Sequence, residues 1–372
     1  RSNAGDDNVV VGSSAGANFT SAVEDTVVIG SFAAGSAGTS ASQVIAIGSK
    51  AARSNIADQT VAIGFEAAYS QTSGATNTYV GYRSGYSNLT GGDNTYIGRH
   101  SGYSATGARN SSLGDGAFGG GAGHSGTDNV AFGYRALQQT TGVSSHNVAI
   151  GSDALRATGA KSDNVAIGYQ AGTAITTSPD NVFIGYQAGV SFDNTSGDGR
   201  NVAVGSGAGN DLTTGIYNTF LGYQAGSLNT NITTGNFNVM VGYQAVGSGN
   251  TASNQNSFGY SAACTGNNQI TLGNTSIGQI RAQVTSITAI SDERDKTSIE
   301  TIPYGLEFVN SLQPKKFVWD HRAETDSEGN EFFSSNKGKK DIGFIAQELQ
   351  SVDDDYLNLV YDENPDKLEA TY

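Results

Sequence analysis

Cysteine is almost missing from this chain of 372 residues: Cys264 is the single copy, so no intrachain disulfide can staple the fold. A lone Cys of this kind reads as a small packed residue without a chemical role. Proline is scarce at 4 residues. Charged residues make up 15%, against roughly 25% in an ordinary globular protein. The net charge of −14 removes the basic footprint that a nucleic-acid binder needs. No run of about 18 apolar residues occurs, so no transmembrane helix is written and no membrane insertion is expected. His100, His124, His146 and His321 show no ligand spacing and read as loop residues. No metal or cofactor is expected. There is neither a signal-peptide pattern nor an initiator Met at residue 1, so a longer parent chain is expected.

Glycine is abundant instead, at 51 residues, and it divides the chain near Ser291. Residues 1–290 hold 47 of them and a net charge of −4; residues 291–372 hold 4 and a net charge of −10. Two different kinds of protein are joined in one sequence.

The first part repeats. "DNVAIGYQAG" at 163–172 returns as "DNVFIGYQAG" at 180–189. An apolar–x–apolar–Gly pattern recurs sixteen times, closing on Gly12, Gly30, Gly48, Gly64, Gly81, Gly98, Gly114, Gly133, Gly151, Gly168, Gly185, Gly205, Gly222, Gly242, Gly259 and Gly273. The spacing is 14 to 20 residues, mostly 16 to 18. Asn often opens the unit, as at Asn147, Asn164 and Asn181. Three residues of alternating exposure predict a short strand, with the outer two apolar and the middle one small. Gly then lets the chain turn. A single unit cannot bury its apolar edge, but stacked units can, so the array predicts a solenoid. Sixteen coils at about 4.8 Å each would extend roughly 75 Å.

These "NVAIG" repeats, over about residues 6–275, resemble the head repeats of trimeric autotransporter adhesins, although the coil here is longer. The resemblance implies a parallel β-roll in a homotrimer. Trimerisation also suits a coil with only two or three large apolar side chains, because a shared interface would supplement a thin core. Calcium-binding nonapeptide repeats are excluded, since "GGGAGHSGTDN" at 119–129 does not recur; no phosphate loop is present. Tyr follows Gly at Tyr82, Tyr86, Tyr103, Tyr134, Tyr169, Tyr186, Tyr223, Tyr243 and Tyr260. Two roles fit: a structural ladder of stacked rings, which solenoids make by default, or a platform for sugar rings.

From Ser291 the pattern changes. Ile302, Leu306, Val309 and Leu312 have helical spacing, "KKFVWD" reads as a strand, and "KKDIGFIAQELQSV" as a strand, Ile342 to Ile345, entering a helix. Phe308, Leu312, Phe317, Trp319, Ile342, Phe344, Ile345 and Leu349 are the expected core of this α+β module. "SDERDK", "FVWD" and "IGFIAQEL" resemble the C-terminal intramolecular chaperone domains of phage tail spikes and tail fibres, a family of self-cleaving peptidases. The resemblance implies a catalytic pair, Ser291 and Lys296, and a cut between Ser291 and Asp292. Local sequence by itself favours Ser291 or Asp292 as a helix N-cap, because five residues span about 140° of a continuous helix and Ser291 and Lys296 would not share a face. The family continues into a long C-terminal helix where this sequence stops at Tyr372, so a truncated domain is expected.

The expected fold is therefore mainly β: a solenoid over 1–275, a β-rich neck over 276–290, and a small α+β chaperone domain over 291–372. The expected function is a structural and receptor-binding part of a phage tail fibre or spike. Its expected partners are two further copies of the chain, other virion tail proteins, and a host cell-surface glycan or protein contacted through longer segments such as 119–129 and 190–200. It would be assembled in the host cytoplasm and reside in the virion tail, outside cells. The alternative is a cellular surface adhesin carrying the same chaperone. Polysaccharide cleavage is disfavoured, since the repeats hold 15 acids with no paired pattern. The only enzymatic chemistry expected is one self-cleavage per chain.

Overall fold

Each apolar–x–apolar–Gly unit forms one three-residue strand. In the computed structural model these are β1 (Val9–Val11), β2 (Val27–Ile29), β3 (Ile45–Ile47), β4 (Val61–Ile63), β5 (Thr78–Val80), β6 (Thr95–Ile97), β7 (Ser111–Leu113), β8 (Val130–Phe132), β9 (Val148–Ile150), β10 (Val165–Ile167), β11 (Val182–Ile184), β12 (Val202–Val204), β13 (Thr219–Leu221), β14 (Val239–Val241), β15 (Asn256–Phe258) and β16 (Ile270–Leu272). They form one parallel sheet in sequence order. Equivalent residues pair without slip, as in Val148, Val165 and Val182. The structure describes residues 7–281 except 20–22, 36–40, 56, 120–123, 140–141, 158–161, 195–196 and 228–231. Beyond these it describes 305–320, 324–325, 331–332, 338–352, 359–361 and 369–370.

The glycine that ends each strand is required by the stack. Gly168 has φ +136°, and a Cβ there would run into the carbonyl of Gly185 on the next coil. After it the chain turns, with one strand per coil and only turns in the segment "YQAG".

The inward face is not the expected one. The middle residue of each strand points into the coil: Ala149, Ala166, Phe183, Ala203 and Phe220 are fully buried. The outer apolar residues stay partly open, and stacking does not bury them. The coil interior is filled instead by the middle strand residue together with buried columns from the rest of the coil, such as Ala171 and Ala188 and, further on, Ile175, Phe192, Leu212 and Ile232. Where the strand supplies Ala131 or Ala149, the turn supplies the buried Leu137 or Leu155. Where the strand supplies Phe183, the turn supplies Gly189, on which a Cβ would lie 2.7 Å from the ring. Phe220 with Gly226 repeats the exchange. In these coils strand and turn trade bulk, whereas Ala166 with Gly172 and Ala203 with Gly209 are small on both sides and the buried Ile175 and Leu212 supply the volume.

The chain consists of two compact units, Arg1–Leu272 and Gly273–Tyr372. In the second, α1 (Leu306–Ser311) is followed by β17 (Lys315–Val318), β18 (Glu324–Thr325), β19 (Glu331–Phe332), β20 (Lys340–Gly343), α2 (Ala346–Gln350), β21 (Val360–Tyr361) and β22 (Glu369–Ala370). The strands pair antiparallel as β17–β20, β18–β19 and β21–β22. The expected core is corrected here. Of its eight residues only Leu349 is buried, while Ile342 is 68% exposed. Phe308, Leu312, Phe317, Phe344 and Ile345 are half-buried. Two-stranded ribbons and short helices of one chain are too thin to enclose such side chains. Residues 276–281, the described part of the expected β-rich neck, carry no strand. Residues 282–290 lie outside the described residues.

Candidate functional site

Ser291, Asp292 and Lys296, the residues of the expected cut, lie outside the described residues, as does His321. The described surface offers three features instead: an apolar stripe, two aromatic ladders and an amide ladder.

The stripe comes from the last residue of every strand. All sixteen are large and apolar, from Val11 through Ile167 to Leu272, and none is buried. Leu113, Leu221 and Leu272 are 50%, 47% and 54% exposed. One such residue per coil, in register, makes a continuous exposed apolar patch, which a soluble monomer rarely carries.

The tyrosines that follow glycine divide into two sets. Tyr86 stacks on Tyr69 at 4.9 Å, and Tyr103 on Tyr86 at 5.1 Å. Arg53 lies over Tyr69, which continues this ladder with a cation. The others stand directly after the strand-ending glycine and are exposed. Tyr169 stacks on Tyr186 at 5.5 Å, and Tyr223 on Tyr243 at 5.0 Å. Tyr260 continues this run at 5.6 Å. Next to them runs an amide ladder that the sequence spells in "YQAG". Gln187 Nε2 donates to Gln170 Oε1 at 2.8 Å, and Gln244 Nε2 to Gln224 Oε1 at 3.1 Å.

Charged groups pair between coils. Glu66 accepts from Lys50 at 3.1 Å and from Arg83 at 2.8 Å. Asp128 takes a bidentate contact from Arg109, and that hydrogen bonding holds its carboxyl at about 2. Both are ties between successive turns. The histidines are not uniformly loop residues. His124 is 2% exposed, packs on Phe118 at 4.1 Å, and is pushed down to about 4 by burial. Cys264 is buried, as a small packed residue would be. Among the described residues no group of three or more His, Cys, Asp or Glu could hold a metal, and no helix is long and apolar enough to cross a membrane.

Residues 291–358 match the family described as chaperone of endosialidase. The match is confined to the C-terminal unit, where β17, β20 and α2 fall on the quoted "FVWD" and "IGFIAQEL" segments. No curated protein matches the chain. A parallel β-solenoid followed by a segment that matches this chaperone family fits a tail-spike-like protein.

Proposed function

We propose that this chain is the receptor-binding shaft of a tail fibre or spike, built as a homotrimer and matured by its C-terminal chaperone. The apolar stripe along β1–β16 carries the reading. Three copies packed on these faces would remove sixteen apolar rows from water, which a single chain leaves exposed. The chaperone match supports three-fold assembly. The open apolar residues of the C-terminal unit, Leu306, Val309 and Ile342, fit the same requirement. In this reading the solenoid is the mature product and presents its outer turns to a host-surface glycan or protein.

The chaperone then releases itself. Lys296, neutral when desolvated, takes the Ser291 hydroxyl proton. The net reaction adds one water across the Ser291–Asp292 peptide bond.

Light scattering on the full chain tests the assembly. A mass of three chains is expected, falling to one when Ile150 and Ile167 are both replaced by Asp. A wild-type protein of one-chain mass would overturn the reading. Labelled protein applied to candidate host cells tests attachment directly.

A further inference from the structure

Both outer ladders break at the same coil. The tyrosine series Tyr169–Tyr186 resumes at Tyr223–Tyr243–Tyr260, and Ser206 stands where the missing ring would be. The amide series Gln170–Gln187 resumes at Gln224–Gln244, and Gly207 stands in its gap. The backbone does not slip there: Gly207 N–H donates to Tyr186 O at 2.8 Å, and Gln224 N–H to Ser206 O at 2.9 Å. One whole side-chain rung is therefore absent from an otherwise regular stack.

The walls of this notch are unanswered. Tyr186 ends its run and is 53% exposed, against 44% for Tyr169. Gln187 Oε1 accepts from no described side chain, and Gln224 Nε2 donates to none, so the coils on either side of the gap leave one acceptor and one donor unused. The same coil holds Asn210 Oδ1, one of four orphaned buried polar side-chain atoms among the described residues. Tyr186 and Tyr223 stand two coils apart, about 9.6 Å. A ring midway lies about 4.8 Å from each, within stacking range.

We propose that the notch at Ser206–Gly207 is a subsite for one pyranose ring of a surface glycan, which takes the place of the missing rung. This rests on the attachment reading above and adds a location and a ligand class. A pyranose offers C–H faces to Tyr186 and Tyr223. Its rim of hydroxyls can donate to Gln187 Oε1 and accept from Gln224 Nε2. A purely apolar ring would use the faces and leave the amides unanswered. The comparable break at Ser152 is different. Arg135 lies 4.7 Å over Tyr134 there, and Asp153, paired with Arg156, fills the amide position.

Filling the notch tests it. Ser206→Tyr with Gly207→Gln completes both ladders. Gln suits this backbone, since Gln187 and Gln224 have φ of 51° and 50° beside 67° at Gly207, and the Cβ it adds meets the flexible Gln224 side chain at 3.3 Å. The probes are methyl glycosides of glucose, galactose, mannose, N-acetylglucosamine and N-acetylgalactosamine, read by saturation-transfer NMR on the full chain. At least one should receive saturation on its ring protons. The filled variant, with melting unchanged or raised, should weaken that binding by about tenfold or more; Tyr186→Ala should weaken it as well. Undiminished signal in the filled variant, or none from any glycoside on wild type, overturns the subsite. Cell decoration separates the two readings. A filled variant that still decorates cells moves the receptor contact elsewhere and overturns only the subsite. A wild type that decorates no cells sinks attachment.

Discussion

Asn164 Oδ1 accepts the backbone N–H of Asn181, one coil further on, at 3.0 Å. Asn181 Oδ1 does the same for Asn201 at 3.1 Å, and Asn147 Oδ1 for Asn164 at 3.0 Å. The chain of side-chain amides is fully buried and runs from Asn77 to Gln255. It satisfies the backbone N–H that enters each coil just before the strand. Asn164→Ala would leave the Asn181 N–H buried without a partner, at a cost of about 1–3 kcal/mol. Asn164→Asp should cost more, because it puts a carboxylate against Asn147 Oδ1 and buries a charge. Hydrogen exchange at Asn181 should accelerate in both variants, Asp above Ala. Unchanged protection at Asn181 would count against the ladder as a structural tie.

The exchange of volume between strand and turn predicts a coupled pair. Ala149→Phe alone overpacks a coil that already holds Leu155, and should destabilise by about 1–3 kcal/mol. Leu155→Gly alone opens a cavity and should cost about 2–5 kcal/mol. The double variant reproduces the Phe183–Gly189 arrangement. It should be more stable than the sum of the single changes predicts, by more than about 0.5 kcal/mol. Thermal unfolding of the four proteins completes the cycle, and simple additivity would refute volume exchange.

The sixteen strands were legible to the residue, because Gly168 and its equivalents mark each strand end by a steric requirement. The direction in which those strands face was not. "VAI" alternates identically whether Ala166 or its neighbours point inward, and only the stacked coils show which side is buried. Asn164 was visible as a repeat letter without a role, since its partners, the backbone N–H and side-chain amide of Asn181, lie on the next coil. The notch at Ser206 is an omission from a ladder, and it shows only after the ladder exists. In the C-terminal unit the spacing of Leu306 and Val309 marked a helix, but not that their apolar side chains stay open in one chain.

His124 gives the solenoid a local acid sensitivity. Its Nδ1 accepts from the Gly126 N–H at 3.4 Å, and its buried Nε2 has no partner. Burial lowers it from 6.5 to about 4. The folded coil therefore resists a proton that the unfolded chain accepts. Above pH 6.5 the ring is neutral in both states and nothing is lost. Between pH 6.5 and 4 stability should decline, by roughly 3 kcal/mol in all. Thr106 N–H, bonded to His124 O at 2.7 Å, is the local reporter. Its protection, corrected for intrinsic exchange, should fall from pH 7 to pH 5 in wild type and hold level in His124→Leu. Equal pH dependence in the two proteins would remove His124 as the cause.

The proposed release after Ser291 makes a covalent prediction. Under denaturing conditions the full chain should separate into residues 1–291 and 292–372. Ser291→Ala removes the nucleophile and Lys296→Ala the base, so each should give one intact mass. Lys296→Arg should also stay intact, because a guanidinium does not surrender its proton near neutral pH. All three variants should still assemble as three chains, since the apolar stripe and the open faces of the C-terminal unit are untouched. That combination, intact chains in a trimer, would separate the chaperone's assembly role from its peptidase role. A wild-type chain that stays whole would instead leave Ser291 as a helix cap and the C-terminal unit as a permanent clamp.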